Sequence, residues 1–217
     1  MINNMKANCL FFWLLIIGGL PQTNGLAQSR WVKGATLYSG HSYDHRPFLE
    51  QGETSEYRGR DNGFGLMLGR DLGQHFTIIS GIHFVRRDIS ATTYRQDKTV
   101  FIDGFYSMNY LEVPLQVRYR LRSRNERWSP FVQAGLNFSR TVGGKGRIGF
   151  ADSPSKVVGI GYDFIAGPLL GVGVEVRIAD RAYLALQPTA SIAYLSPSTW
   201  LYYPDTFLGL NLTFCYR

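Results

Sequence analysis

The side chains best suited to chemistry are few, and their spacing works against it. Histidines stand at His41, His45, His75 and His83. His41-Ser42-Tyr43-Asp44-His45 has the spacing of a metal-binding pair on a helix. It follows a strand at the start of a loop, where an i, i+4 spacing no longer stacks two rings on one face. Ser80 and His83 are the types of a hydrolase pair, but three residues apart on a strand they point to opposite faces. Neither Gly-x-Ser-x-Gly nor His-Glu-x-x-His occurs. Gly143-Gly144-Lys145-Gly146 lacks the framework of a phosphate cradle and reads as a flexible connection. No catalytic residue, metal or cofactor is expected. What remains is a set of polar and charged side chains at even spacing: Glu112, Gln116, Arg118 and Arg120 in one segment, Glu175 and Arg177 in another. On strands these share one face. In a narrow interior they must pair, because a lone buried charge is costly.

The elements that carry them show period-two alternation. Leu111, Val113, Leu115, Val117, Tyr119 and Leu121 oppose Tyr110, Glu112, Pro114, Gln116, Arg118 and Arg120. Val132, Ala134, Leu136 and Phe138 oppose Gln133, Gly135, Asn137 and Ser139. Leu170, Val172, Val174 and Val176 oppose Gly171, Gly173, Glu175 and Arg177. Leu184, Leu186, Ala190 and Ile192 oppose Ala185, Gln187, Thr189 and Ser191. Leu208, Leu210, Leu212, Phe214 and Tyr216 oppose Gly209, Asn211, Thr213 and Cys215. Upstream the pattern is weaker. Phe64, Leu66 and Leu68 oppose glycines, Ile79 and Val85 blur the strand at 76–87, and the strand near Trp31 to Gly40 has no clear face. The total is eight strands.

Composition agrees. The chain has 217 residues, 45% hydrophobic, 14% aromatic and only 18% charged, with 24 glycines. Soluble domains carry about 25% charged residues. Disorder, collagen and a disulfide scaffold are excluded. The net charge of +7 lies mostly in strands, strand ends and turns. Arg118, Arg120, Arg122, Arg124 and Arg127 gather about one turn, which reads as a solvated turn plus interior pairing. With no nucleic-acid motif, nucleic acid is not an expected partner.

The first residues read as a secretory leader. A cation at Lys6 precedes the apolar run from Cys9 to Leu20, and Gly25 and Ala27 supply small residues for cleavage. Cleavage after Ala27 leaves one domain, 28–217, with Cys215 as its sole cysteine and no disulfide. The other long apolar stretch, Val157 to Val174, is interrupted by Asp163, Pro168 and glycines and reads as strand.

Connections alternate. Short turns lie near Asp71 to Gln74, Arg122 to Trp128 and Ala179 to Arg181. Long loops are expected over Ser42 to Arg60, Asp88 to Phe105, Arg140 to Lys156 and Leu195 to Asp205. This is the plan of a membrane barrel with short periplasmic turns and longer extracellular loops. The fold expected is therefore all-β, an eight-stranded antiparallel up-and-down transmembrane β-barrel, with both termini in the periplasm. Leu111, Val113, Leu115, Val117, Leu208, Leu210, Leu212 and Phe214 are then lipid-facing. The small and polar face fills a lumen too narrow for a pore. Tyr119, Trp128, Phe131, Tyr183, Phe207 and Tyr216, at or near strand ends, are expected in interfacial girdles.

The segment Tyr110-Leu111-Glu112-Val113-Pro114-Leu115-Gln116-Val117-Arg118-Tyr119 resembles the PorT-type outer-membrane β-barrel family, marked by Tyr-Leu-Glu-aliphatic-Pro before an aliphatic run, a cation and Tyr. Pro130 to Leu136, Phe164 to Val176 and Phe207 to Tyr216 are similar to its later strands. The resemblance implies an eight-stranded outer-membrane barrel of a gram-negative cell and no particular activity. Such barrels usually end on an aromatic residue as part of the assembly signal. Here Arg217 follows Tyr216, a departure that bears on how that signal is read. Expected partners are outer-membrane lipid, lipopolysaccharide and the barrel assembly machinery. Two other readings stand beside a non-enzymatic anchor or loop-mediated interaction protein: a periplasmic lipocalin-like carrier of an apolar ligand, and a barrel enzyme acting on lipid or peptide.

Overall fold

The computed structural model describes residues 30–47, 54–94, 100–121, 127–150, 153–159, 164–193 and 205–217. The expected leader, His45 as a side chain, and Arg122 and Arg124 lie outside what is described. Within it the chain forms β1 (Trp31–Pro47), β2 (Thr54–Leu72), β3 (Phe76–Tyr94), β4 (Val100–Arg120), β5 (Trp128–Phe150), β6 (Ser153–Gly159), β7 (Phe164–Arg177), β8 (Ala182–Ala193) and β9 (Asp205–Tyr216). All pairings are antiparallel. Eight strands close a ring in the order β1-β2-β3-β4-β5-β7-β8-β9, with β9 returning to β1 from Lys33↔Tyr216 to Tyr43↔Thr206. Closure leaves the ring no free edge, which backbone in hydrocarbon requires. β6 stands outside the ring as an extra strand on the far end of β5.

The alternation sorts side chains across this wall. Leu66, Ile82, Leu170, Leu208 and Leu210 are exposed on the outside, while Val32, Ile79, Phe131, Gln133 and Glu175 are buried within. Ile79 and Val85, which blurred the third strand, point inward. On β1 Val32 and Thr36 are buried and Leu37 is exposed, so the first strand has an assigned face. From Phe76 to Phe84 the outward positions of β3 rise about 21 Å along a strand tilted by ~40°. That is close to the ~25 Å apolar band of outer-membrane barrels.

Glycine decides how tightly the lumen packs. A Cβ at Gly173 would lie 2.5 Å from the Phe131 ring and 2.6 Å from the Leu186 carbonyl oxygen. One at Gly65 would lie 2.0 Å from the His83 ring. Large inward side chains thus lie flat across glycines of the neighbouring strand, which explains why glycine recurs on the inner face. Gly73, at φ 79°, makes the tight turn from β2 to β3.

Two expectations are corrected. The segments expected as long loops are largely strand: β1 and β2 pair out to Pro47↔Thr54, β3 and β4 to Tyr94↔Val100, and β5 reaches Phe150. Both faces there carry polar residues, so alternation disappears while the backbone ladder continues. β7 starts at Phe164 and β8 ends at Ala193. β1 to β6 therefore form a wall rising above the ring on one side. Of the expected girdle residues, Tyr119, Trp128 and Tyr216 are exposed outside. Phe131 and Phe207 are buried inside, and Tyr183 packs against a buried cluster; strand parity, not proximity to a strand end, sets their side.

Candidate functional site: a charged lumen

Two ion-pair networks fill the barrel. The first lies toward the end that carries the short turns. Arg118 of β4 binds Glu175 of β7, donates to Gln133 Oε1 of β5 at 3.0 Å and lies 4.0 Å over the Phe131 ring. Arg217, following β9, donates to Glu175 Oε2 at 2.7 Å, lies 3.3 Å from Asp71 Oδ2 and stacks 4.3 Å over Tyr183. Arg120 binds Asp71 and the Thr77 hydroxyl, and its Nε lies 3.8 Å from Glu175. Thr77 donates to Asp71 at 2.7 Å. Three arginines thus share two carboxylates.

The second network lies toward the raised wall. Arg87 of β3 donates from Nε to Asp61 Oδ1 at 3.0 Å and comes within 3.8 Å of Glu112. Its guanidinium sits between the Tyr110 ring at 4.7 Å and the Phe207 ring at 3.8 Å. Glu112 accepts from Asn137 at 3.0 Å and from Ser139 at 3.2 Å. Here two carboxylates face one arginine. Between the networks lies a neutral layer, with Gln133 donating to Gln116 and the Thr36 and Thr213 hydroxyls 3.0 Å apart. Three of the four arginines in these networks, Arg87, Arg118 and Arg217, lie over aromatic rings, which stabilises a desolvated cation by cation–π attraction.

One cavity of about 60 Å³ among the described residues is lined among others by Tyr38, His83, Arg87, Glu112, Gln116 and Asn211. A second of about 20 Å³ lies next to Gln133 and Thr213. At ~15 Å³ per water these hold about four waters and one.

Glu112, Gln116, Arg118 and Glu175 are buried inside and Arg120 is partly buried. Arg177 is not among them: it is exposed at the end of β7, because its position lies past the rim where a long side chain reaches water. Asp61, Asp71, Arg87 and Arg217 are partners that the residue-by-residue reading did not assemble. Their signal was inward parity; Arg217 continues the inner series Asn211, Thr213, Cys215. Of the proposed lipid-facing set, Leu111, Val117, Leu208, Leu210, Leu212 and Phe214 are exposed, and Val113 and Leu115 are half-buried.

The marker segment on β4 has a structural role. Tyr110, Glu112 and Pro114 all face inward, and the first two bracket Arg87. Pro114 has no N–H for the ladder. The β3–β4 register passes from Ser80↔Leu115 to His83↔Glu112, leaving Pro114 without a partner on β3. The Ser80 hydroxyl donates to the Pro114 carbonyl at 2.7 Å in place of a ladder bond. Ser80 is therefore committed to backbone repair.

A family model for the outer membrane protein beta-barrel domain matches residues 52–177, more than half of the chain. The chain belongs to this family. It is an integral outer-membrane β-barrel protein. Its apolar exterior and packed polar interior are the reverse of what a soluble carrier of an apolar ligand needs. Among solved structures it is similar to the outer membrane protein OprG from Pseudomonas aeruginosa, with 12% identity over 88% of this chain and 96% of that one, at a TM-score of 0.47. It is similar to Ail, the attachment invasion locus protein of Yersinia pestis, at 13% identity, 86% and 97% coverage and a TM-score of 0.43. Neisserial surface protein A gives 9%, 88%, 99% and 0.44. Comparison with curated proteins finds no match.

Proposed function

We propose that this outer-membrane barrel is a non-catalytic, non-conducting anchor that holds the β1–β6 wall at the cell surface for interaction with a partner there. The observation that carries this reading is the pairing of the lumenal charges with one another. Glu175 is 1% exposed and holds three arginines, and Glu112 accepts two hydrogen bonds while facing Arg87. Side chains committed in this way neither conduct nor catalyse. The Tyr110 to Pro114 segment supports a place beside the PorT-type members of the family. In this reading residues 1–27 are a cleaved leader, the assembly machinery inserts the barrel, the short turns face the periplasm and the wall faces outward.

Cysteine labelling in intact cells tests the orientation. Cys215 is fully buried and so does not compete. Ser90→Cys, on the exposed face of the wall, is expected to react with a membrane-impermeant maleimide. Ala179→Cys, in the β7–β8 turn, is expected to react only after the outer membrane is opened. The opposite pattern rejects this orientation.

A further inference from the structure

The outside of the wall changes character abruptly at the top of the apolar band. On β2 the outward series runs Leu68, Leu66, Phe64, Asn62, Arg60, Arg58; on β3 it runs Phe84, Arg86; on β5 it runs Leu136, Phe138, Arg140. Arg60, Arg86 and Arg140 are thus the first charges above hydrocarbon on their strands. All three are exposed. Arg60 lies opposite His41 on one side and Asp88 on the other, with Arg86 diagonal to it. Farther up, Arg58, Lys145 and Arg147 are exposed on the same side of the wall. A two-residue step along a tilted strand adds about 5 Å of height. The cations therefore stand at more than one depth. Against these six stand Glu56, Asp88 and Asp103 among the described residues, and only Arg58–Glu56 at 3.3 Å and Arg86–Asp88 at 3.2 Å are ion pairs, both solvent-exposed. Among the described residues the short side of the barrel has no counterpart: its outward residues at the strand ends are Phe164, Ile192 and Thr206.

We propose that this basic face binds the headgroups of a phosphorylated glycolipid in the surrounding leaflet. Long arginine and lysine side chains beside an anionic membrane surface reach its phosphates and are attracted to them. A phospholipid presents phosphate in one plane. A phosphorylated sugar headgroup presents anions at several depths, as the cations are arranged here. The inference rests on the outward orientation of the wall and deepens it by naming the lipid class.

The test uses the folded full barrel in micelles doped with one of three lipids: a bisphosphorylated glucosamine-disaccharide lipid, its dephosphorylated form, or phosphatidylglycerol. Native mass spectrometry counts the lipid retained. Wild type is expected to retain the bisphosphorylated glycolipid about tenfold better than either other lipid. Arg60→Gln/Arg86→Gln/Arg140→Gln is expected to lose the whole of that tenfold preference, since roughly fivefold per cation at an anionic surface exceeds tenfold for the two unpaired cations alone. Lys33→Gln/Arg181→Gln, at the opposite end, is expected to match wild type. Heat-modifiable gel migration confirms that each variant is folded. Equal retention by wild type and the triple variant overturns the proposal, as does equal retention of phosphatidylglycerol and glycolipid by wild type. Either failure leaves the orientation of the wall to the cysteine labelling, which is scored independently.

Discussion

Glu175→Gln removes the hub of the lumen at almost constant volume. The wild-type side chain binds Arg118 and Arg217 and lies 3.8 Å from Arg120 Nε, while being 1% exposed. After substitution three arginines face Asp71 alone, so the formal charge of the cluster rises from +1 to +2. The new amide keeps one acceptor oxygen but turns its N–H groups toward a guanidinium that also only donates, so one charge-assisted hydrogen bond to Arg118 or Arg217 is lost. Removing one member of a buried pair costs about 3–5 kcal/mol, and the Glu175→Gln barrel is expected to lose stability in that range. Adding Arg118→Gln restores the cluster charge to +1. The double variant is then expected to be more stable than the sum of the single losses by about 1–3 kcal/mol, the size of coupling seen between contacting residues. The assay is urea titration of refolded protein in lipid vesicles, read by folded and unfolded bands on unheated gels. A loss below about 0.5 kcal/mol for Glu175→Gln, or strict additivity in the double variant, refutes the claim that the lumen is held by a shared carboxylate.

Other expected outcomes follow from the same geometry. Gly173→Val is expected to abolish folding, because its Cβ meets the Leu186 backbone as well as the Phe131 ring, whereas Gly143→Ala, with nothing within 4 Å, is expected to fold normally on the same gels. Leu210→Arg, placed at mid-band facing lipid, is expected to cost about 2–4 kcal/mol of folding free energy in vesicles; a cost near zero contradicts the face assignment. Ser80→Ala is expected to cost about 1–3 kcal/mol by orphaning the Pro114 carbonyl, again by urea titration. Pure protein in planar bilayers is expected to show no large stable channels, since paired side chains fill the eight-stranded lumen; porin-sized currents contradict a filled lumen.

The ring was legible in the sequence wherever one face meets lipid. From Leu111 to Leu121 and from Leu208 to Tyr216 hydrocarbon forces every second residue to be apolar, and the strands read by that rule are staves of the ring; the first strand, which shows no clear face in the sequence, is the eighth. Above the band the constraint vanishes. Tyr43↔Arg58 and Ser90↔Phe105 are ladder pairs with no alternation to announce them. The lumen was legible as a face but not as a network. Pairing of Glu175 with Arg118 and Arg217 depends on β7 meeting β5 while β9 closes on β8 and β1, which no local pattern encodes. Arg177 was misplaced for the converse reason: parity continued the inner face beyond the point where the wall ends.

Lipid exposure along β9 tests the central claim most directly. In a Cys215→Ser background, single cysteines from Leu208 to Phe214 would carry a fluorophore, and quenching by lipids brominated on their acyl chains would be measured after reconstitution. Leu208, Leu210, Leu212 and Phe214 point outward, while Gly209, Asn211 and Thr213 point into the lumen. Strong quenching at the four even-numbered positions, deepest at Leu210 and Leu212, with little at the odd positions between them, is the expected result. Quenching without a two-residue period, or stronger at the odd positions, would contradict a closed barrel that buries its charges and faces lipid with its apolar side.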